Sequence, residues 1–276
     1  MTGLLAGKTA LIFGIANERS LAWGIARRMY EHGATIGISY ASEPLRRRVE
    51  PLAAKVDARF VSRCDLAHDE EIDSLFARAG KELAGVDILV HAVAYADRNE
   101  LSNDFSQTSR AGFHLAMDIS VYTLIALTRA ALPLMRPGGS VLTLSYYGAQ
   151  KVAPNYNVMG VAKSALESSV RYLAAELGPR EVRVNAISAG LVRTLSAQGV
   201  AGFRAAEAEY GRSSPMRRNI TADDVGDAAV WLSSPMARNV TGDVLYVDGG
   251  YNIISGGLRP KRSGPASDGA AGQTTP

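Results

Sequence analysis

Short apolar runs alternate with longer amphipathic stretches along nearly the whole chain, a rhythm that predicts parallel strands covered by helices on both faces. The apolar runs place strands at 9–13, 35–40, 59–64, 87–93, 140–145, 183–187 and 243–247. Helical periodicity fills the intervals at 21–32, 43–55, 69–84, 109–135, 156–177 and 222–233. Gly33 stops the first helix, and Thr221-Ala222-Asp223-Asp224 opens the last with an N-cap and an acidic first turn. One unbroken series of such units argues for a single doubly wound α/β domain of about seven strands over residues 1–257. Residues 195–217 interrupt the rhythm after the sixth strand. Insertions at the carboxyl end of a strand overhang the ligand crevice in such sheets, so this excursion is expected to be a mobile lid. From 258 to 276 the chain is rich in Gly, Pro, Ser, Ala and Thr without periodicity, which predicts a disordered tail.

Composition narrows the function classes. The 276 residues are 47% hydrophobic and 21% charged, enough for a sizeable core. Much of the formal net charge of +3 comes from Arg259, Lys261 and Arg262 in the tail, so the folded body is nearly neutral and makes no case for nucleic acid. The single cysteine, Cys64, excludes an internal disulfide and fits a reducing compartment. No apolar run is expected to span a bilayer, and Lys8 leads straight into a core strand without a signal peptide. The expectation is a soluble, cytoplasmic protein. Histidines 32, 68, 91 and 114 lack metal-ligand spacing, so no metal site is expected.

Candidate chemistry begins at Gly14, which ends the first strand, with Ser20, Leu21 and Gly24 at the start of the following helix. A glycine there permits close backbone approach, and a helix N-terminus points free N–H groups at an anion, so a pyrophosphate fits. The spacing Gly14-x5-Ser20-x3-Gly24 puts Ser20 where a middle glycine is usual, and its hydroxyl and N–H could both bond a phosphate oxygen. Gly24 is expected to let helix and strand pack closely. The second strand runs into Tyr40-Ala41-Ser42, followed by Arg46, Arg47 and Arg48. The strand tip carries neither an acidic residue for a ribose hydroxyl nor an arginine for a 2′-phosphate, so the residues leave NAD against NADP open. Asp65, ending the third strand, suits either an adenine amino group or the N-cap of the next helix. Small residues follow His91 and would let a cofactor lie against the backbone.

Tyr156 and Lys163 stand seven residues apart on one predicted helix. Seven steps come to about 700°, which returns both to one face roughly 10 Å apart along the axis. A lysine so placed can bind cofactor hydroxyls, and its charge would favour the phenolate form of a nearby tyrosine. Tyr147-x3-Lys151 matches the pair typical of short-chain dehydrogenases, but Tyr147 directly follows the fifth strand in a turn, which marks the match as accidental.

The segments Gly14-Ile-Ala-Asn17, Ser20-Leu-Ala-Trp-Gly24, Leu144-Ser-Tyr146, Pro154-Asn-Tyr156-Asn-Val-Met-Gly160 with Lys163, Arg183-Val-Asn-Ala-Ile-Ser-Ala-Gly190, Arg193-Thr194-Leu195 and Val247-Asp-Gly-Gly250 run in order through the chain. Together they resemble the bacterial enoyl-acyl-carrier-protein reductases of the short-chain dehydrogenase/reductase superfamily. The resemblance implies a Rossmann-type fold and reduction of a trans-2-enoyl thioester by NADH or NADPH, with NADH favoured. It implies that Gly14, Ser20 and Leu21 meet the pyrophosphate, Ala41 and Val93 lie near the ribose, and Asp65 and Leu66 hold the adenine. Lys163 would bond the nicotinamide ribose, while Val192, Arg193, Thr194, Leu195 and Ser196 cover the nicotinamide and phosphates. Tyr156 would bond the thioester oxygen, with Tyr146 and Ala96 lining the substrate site. An acyl carrier protein as substrate carrier is implied too. So is a homotetramer with the last helix and the 247–250 region near an interface. Ala41, Ala94, Tyr95 and Leu191 replace residues common in the family, none of them a catalytic group.

Overall fold

The computed structural model describes residues 3–194 and 202–255. The expected tail, residues 195–201 of the expected lid, and with them Leu195 and Ser196, lie outside the described residues. Seven parallel strands form one sheet in the order β3-β2-β1-β4-β5-β6-β7. They are β1 (Thr9–Phe13), β2 (Thr35–Tyr40), β3 (Phe60–Arg63), β4 (Val86–His91), β5 (Met135–Ser145), β6 (Arg183–Ala189) and β7 (Val244–Val247). The order reverses between β1 and β4, which opens a crevice at their carboxyl ends.

The period of two along each strand sorts side chains into two cores. Ala10 and Ile12 of β1 face helices α1 (Leu21–Glu31), α2 (Glu43–Lys55) and α9 (Ala222–Ser233). Leu11 and Phe13 face α3 (Asp69–Glu82), α6 (Thr123–Ala131) and α7 (Asn157–Leu177). The Thr221 hydroxyl accepts the Asp224 N–H while the Asp224 carboxylate accepts the Thr221 N–H, closing the N-terminus of α9 as a capping box. Gly24 has a different partner from the one expected: a Cβ there would stand 2.4 Å from Ala222 O, so it lets α1 cross α9 rather than press on a strand.

The region expected as one helix at 109–135 is broken. After α4 (Arg98–Ser102) come α5 (Arg110–Met117), a π-helical turn at Asp118–Tyr122, and α6. Pro133 ends helical pairing, and β5 begins already at Met135. The early start is accommodated by a register shift against β4 between Val86 and Ile88. Arg110–Ala131 is also long and apolar enough to cross a membrane by composition, with a mean hydropathy of 1.3, which corrects the expectation that no such run exists. Half of that apolar window is buried inside the fold, as in the core helix of a globular domain. Within the segment expected as a lid, α8 (Phe203–Ser213) is helical and buries Phe203, Glu207 and Tyr210.

Candidate functional site

The carboxyl ends of β1, β4, β5 and β6 surround the crevice. Gly14 leaves β1 with φ +104°, and a Cβ there would lie 2.1 Å from Ala92 O, so only glycine lets the exits of β1 and β4 lie side by side. Ser20 caps α1 by position, but its hydroxyl accepts from Ala16 N at 3.1 Å and Asn17 N at 3.2 Å. Its own N–H donates to Asn17 O at 3.1 Å. The expectation that both groups of Ser20 reach a phosphate is corrected for the N–H, which the turn uses; the hydroxyl accepts from the turn and leaves its O–H able to donate to an anion. No side chain caps α1, and the N–H groups of Leu21 and Ala22 at its first two positions have no helical acceptor, an arrangement that favours an anion. That donor set, beside a glycine turn at the switch point, fits the pyrophosphate of a dinucleotide.

Among the residues expected near adenosine, Ala41 is exposed past β2 and Leu66 is buried. Asp65 is not the N-cap of α3, a position held by His68. Its Oδ1 accepts from Ala67 N at 3.1 Å, and its N–H donates to Glu71 Oε2 at 2.8 Å, so the carboxylate is fixed at the crevice rim. Arg46, one of the three arginines, is tied to Glu50 at 2.6 Å and Glu43 at 3.3 Å on the surface of α2. Val93 lies beyond the end of β4, which stops at His91, two residues short of the expected boundary. Val192 and Thr194 follow β6 in a tight turn closed by Thr194 N to Val192 O at 2.8 Å. The Arg193 guanidinium points to α8, where it pairs with the buried Glu207 at 2.5 Å.

The structure brings Tyr146, Tyr156 and Lys163 together at the tip of β5. The Tyr146 and Tyr156 rings meet edge to face with centroids 4.9 Å apart. Gly148 makes the approach possible, since a Cβ there would stand 2.7 Å from Tyr156 Cδ1. Tyr156 is the N-cap of α7 and Asn157 its first residue, so the tyrosine stands just outside the helix rather than within it. Lys163 is buried and donates to Leu144 O at 2.7 Å. One turn on, Glu167 accepts from Ser145 Oγ at 2.5 Å, so α7 grips consecutive residues of β5 just before Tyr146.

Burial sets the electrostatics. It pushes the Lys163 ammonium down to about 8, against the opposing charge of Glu167. It raises Tyr156 well above the usual phenol range, helped by Tyr146, and pushes Tyr146 up to about 12, helped by Tyr147 and Tyr251. The expectation that Lys163 favours a phenolate at Tyr156 is therefore corrected: desolvation dominates, and both tyrosines remain neutral donors at physiological pH.

Two groups have no local sequence signal. His91 is fully buried, with Nδ1 2.8 Å from Thr143 Oγ1 and Nε2 2.9 Å from Thr123 Oγ1. Because the Thr123 hydroxyl donates to Ile119 O at 2.7 Å, it must accept from Nε2–H, which leaves Nδ1 to accept from Thr143. Burial and the Lys163 charge bring this imidazole down to about 3. Ser120, in the π turn, accepts from Tyr95 N at 3.0 Å and holds the segment leading to Ala96.

The Tyr147/Lys151 pair lies before α7 and not on it. Tyr147 begins a short 3-10 turn, Tyr147–Ala149, and Lys151 Nζ donates to Asn252 O at 3.1 Å.

The family model described as enoyl-(acyl carrier protein) reductase matches residues 14–252. A protein of Rickettsia prowazekii named as an NADH enoyl-[acyl-carrier-protein] reductase is 47% identical over 253 residues, covering 92% of this chain and 97% of its own length. The solved structure of the NADH enoyl-[acyl-carrier-protein] reductase from Aquifex aeolicus superposes with a TM-score of 0.89 at 49% identity, covering 92% of this chain and 99% of that one. The enoyl-(acyl-carrier-protein) reductase from Anaplasma phagocytophilum, solved in complex with NAD, gives a TM-score of 0.90 at 45% identity, covering 94% of this chain and 99% of that one.

Proposed function

We propose that this chain, which belongs to the enoyl-acyl-carrier-protein reductase family, reduces the carbon–carbon double bond of trans-2-enoyl thioesters in fatty-acid synthesis. The observation that carries the reading is the neutral Tyr156 phenol packed on Tyr146 beside a separately anchored Lys163. A reduced nicotinamide dinucleotide, when bound, supplies the hydride that adds to Cβ. Tyr156 donates its O–H to the thioester oxygen, where negative charge gathers as Cβ is reduced, and protonation at Cα completes the reaction. Tyr146 orients the Tyr156 ring and lines the acyl site with Ala96. Lys163 holds the nicotinamide ribose, and Leu21 and Ala22 at the N-terminus of α1 hold the pyrophosphate. Gly14 and Val93 give the cofactor room, Asp65 and Leu66 hold the adenine, and Val192 and Thr194 cover the nicotinamide. α8 acts as part of the lid.

NADH is the cofactor. The relatives carry it in their names, and the pairing of Arg46 with Glu43 and Glu50 withholds that arginine from a 2′-phosphate. An acyl carrier protein delivers the substrate in the cytoplasm. We read the assembly as a homotetramer, supported by the sheet-edge strand β7, whose residues Val244, Leu245, Tyr246 and Val247 are only half-buried in one chain.

Loss of reduced-nicotinamide absorbance tests the reading, with a trans-2-enoyl thioester and an acetoacetyl thioester run in parallel against NADH and NADPH. Turnover of the enoyl substrate with NADH is expected. Turnover of the keto substrate alone would move the chemistry to a carbonyl, and inactivity on both would make the chain a catalytically idle relative.

A further inference from the structure

The pair Tyr147 and Lys151 has a partner elsewhere in the fold. Lys151 Nζ, bonded to Asn252 O, also lies 5.8 Å from the centre of the Tyr147 ring. Tyr147 meets Tyr251 edge-on with centroids 5.6 Å apart, and Tyr251 stacks on Tyr210 of α8 at 4.2 Å and 21°. In the other direction Tyr147 meets Tyr146 at 5.8 Å, and Tyr146 meets Tyr156 at 4.9 Å. Five tyrosine rings thus run in unbroken contact from α8 to Tyr156, and Tyr251 joins the two sides.

The turn that carries Tyr251 is braced. Buried Asp248 accepts from Gly250 N at 2.8 Å through Oδ1, and from Asn252 N at 2.7 Å and Asn252 Nδ2 at 2.9 Å through Oδ2. The Tyr210 hydroxyl donates to Asp248 O at 2.8 Å. Gly190, at the exit of β6, makes room for that hydroxyl, because a Cβ there would stand 2.3 Å from the Tyr210 oxygen. α8 therefore holds a stiff turn on one side while Tyr147 and Lys151 hold it on the other. Stiff, close-packed rings pass a displacement along rather than absorbing it.

We propose that Tyr251 is a positioning residue that couples the placement of α8 to that of Tyr146 and Tyr156. Its kinetic consequence rests on the reductase reading above; the coupling itself is measured without turnover. Amide hydrogen exchange of the full chain is the test. Tyr251→Leu removes both ring contacts and should raise exchange about tenfold in Phe203–Ser213 and in Tyr147–Ala149 together. Tyr251→Phe keeps the rings and should leave both segments within about twofold of wild type. Lys151→Met changes an exposed side chain and should loosen Tyr147–Ala149 about threefold by losing the bond to Asn252. With an enoyl thioester, Tyr251→Leu should lower kcat about tenfold while the NADH Kd stays within about twofold, and Tyr251→Phe should restore the rate. Faster exchange in one segment only, in neither, or equally in Tyr251→Phe overturns the coupling. Faster exchange in both segments of Tyr251→Leu, in a protein whose wild type does not turn over enoyl thioesters, would overturn the reductase reading and leave the coupling standing.

Discussion

His91 offers a sharp test of how burial governs this site. Its imidazole is fully buried between Thr143 and Thr123, and in the native state it protonates only near pH 3 instead of 6.5. A histidine whose native value is depressed binds its proton more readily in the unfolded chain. Stability from this group is therefore complete above about pH 6.5 and is lost as pH falls toward 3. Each pH unit inside that window removes about 1.4 kcal/mol, so lowering pH from 7.5 to 5.0 should cost about 2 kcal/mol. Acid acts on more of the molecule than His91, so the informative quantity is a difference. His91→Asn can donate to Thr123 and accept from Thr143 but does not titrate. Urea unfolding at pH 7.5 and 5.0 should show wild type losing about 2 kcal/mol more than the variant, with unchanged m-values. The absolute stability of the variant at pH 7.5 is irrelevant to this comparison. Equal losses in the two proteins would refute the reasoning and mean that His91 accepts its proton without opening the fold.

Tyr156→Phe should lower kcat about 10²-fold while leaving the NADH Kd within about twofold, measured by steady-state kinetics and fluorescence titration; parallel loss of both would contradict the division of roles. Because Lys163 is held down to about 8, NADH should bind best below that pH and weaken several-fold, about 3- to 10-fold, as pH rises through it, with Lys163→Met showing no such dependence in a titration from pH 6.5 to 9.5. Thr221→Ala removes half of the capping box of α9 and should cost about 1 kcal/mol in chemical denaturation without changing kcat.

Much of this molecule is legible in its sequence, and the exceptions share a cause. β1 and β2 fall where their apolar runs place them, because a strand covered on both faces needs no polar alternation to announce it. β4 is overrun because Ala92 and Val93 are apolar yet lie beyond the strand, packed against the two cores. The break between α5 and α6 is invisible to helical periodicity, since a π turn adds one residue without changing composition. Spacing puts Tyr156 and Lys163 at one site, but their protonation belongs to the environment. His91 is the clearest omission, for its partners lie 32 and 52 residues away and nothing nearby in the chain marks it. Ser20 shows the opposite error: its N–H, suited to an anion, is spent inside the turn, and only its hydroxyl keeps a donor.

The protonation states at the tip of β5 bear on which carbonyl chemistry the site serves. Reducing a ketone leaves an alkoxide that must take a proton at oxygen, so a tyrosine serving that reaction gains from a lowered pKa and a nearby cation. Reducing an enoyl thioester leaves charge on an oxygen that never keeps a proton, because the proton ends on Cα. What helps there is a fixed, neutral donor in a dry pocket, where a hydrogen bond to developing negative charge is strong and a phenolate would repel it. Desolvation lifts Tyr156, Tyr146 packs edge-on against it, and Lys163 is anchored on Leu144 O. One physical condition, exclusion of water from the tip of β5, thus depresses the lysine, protects the phenols and strengthens the one interaction that enolate stabilisation requires.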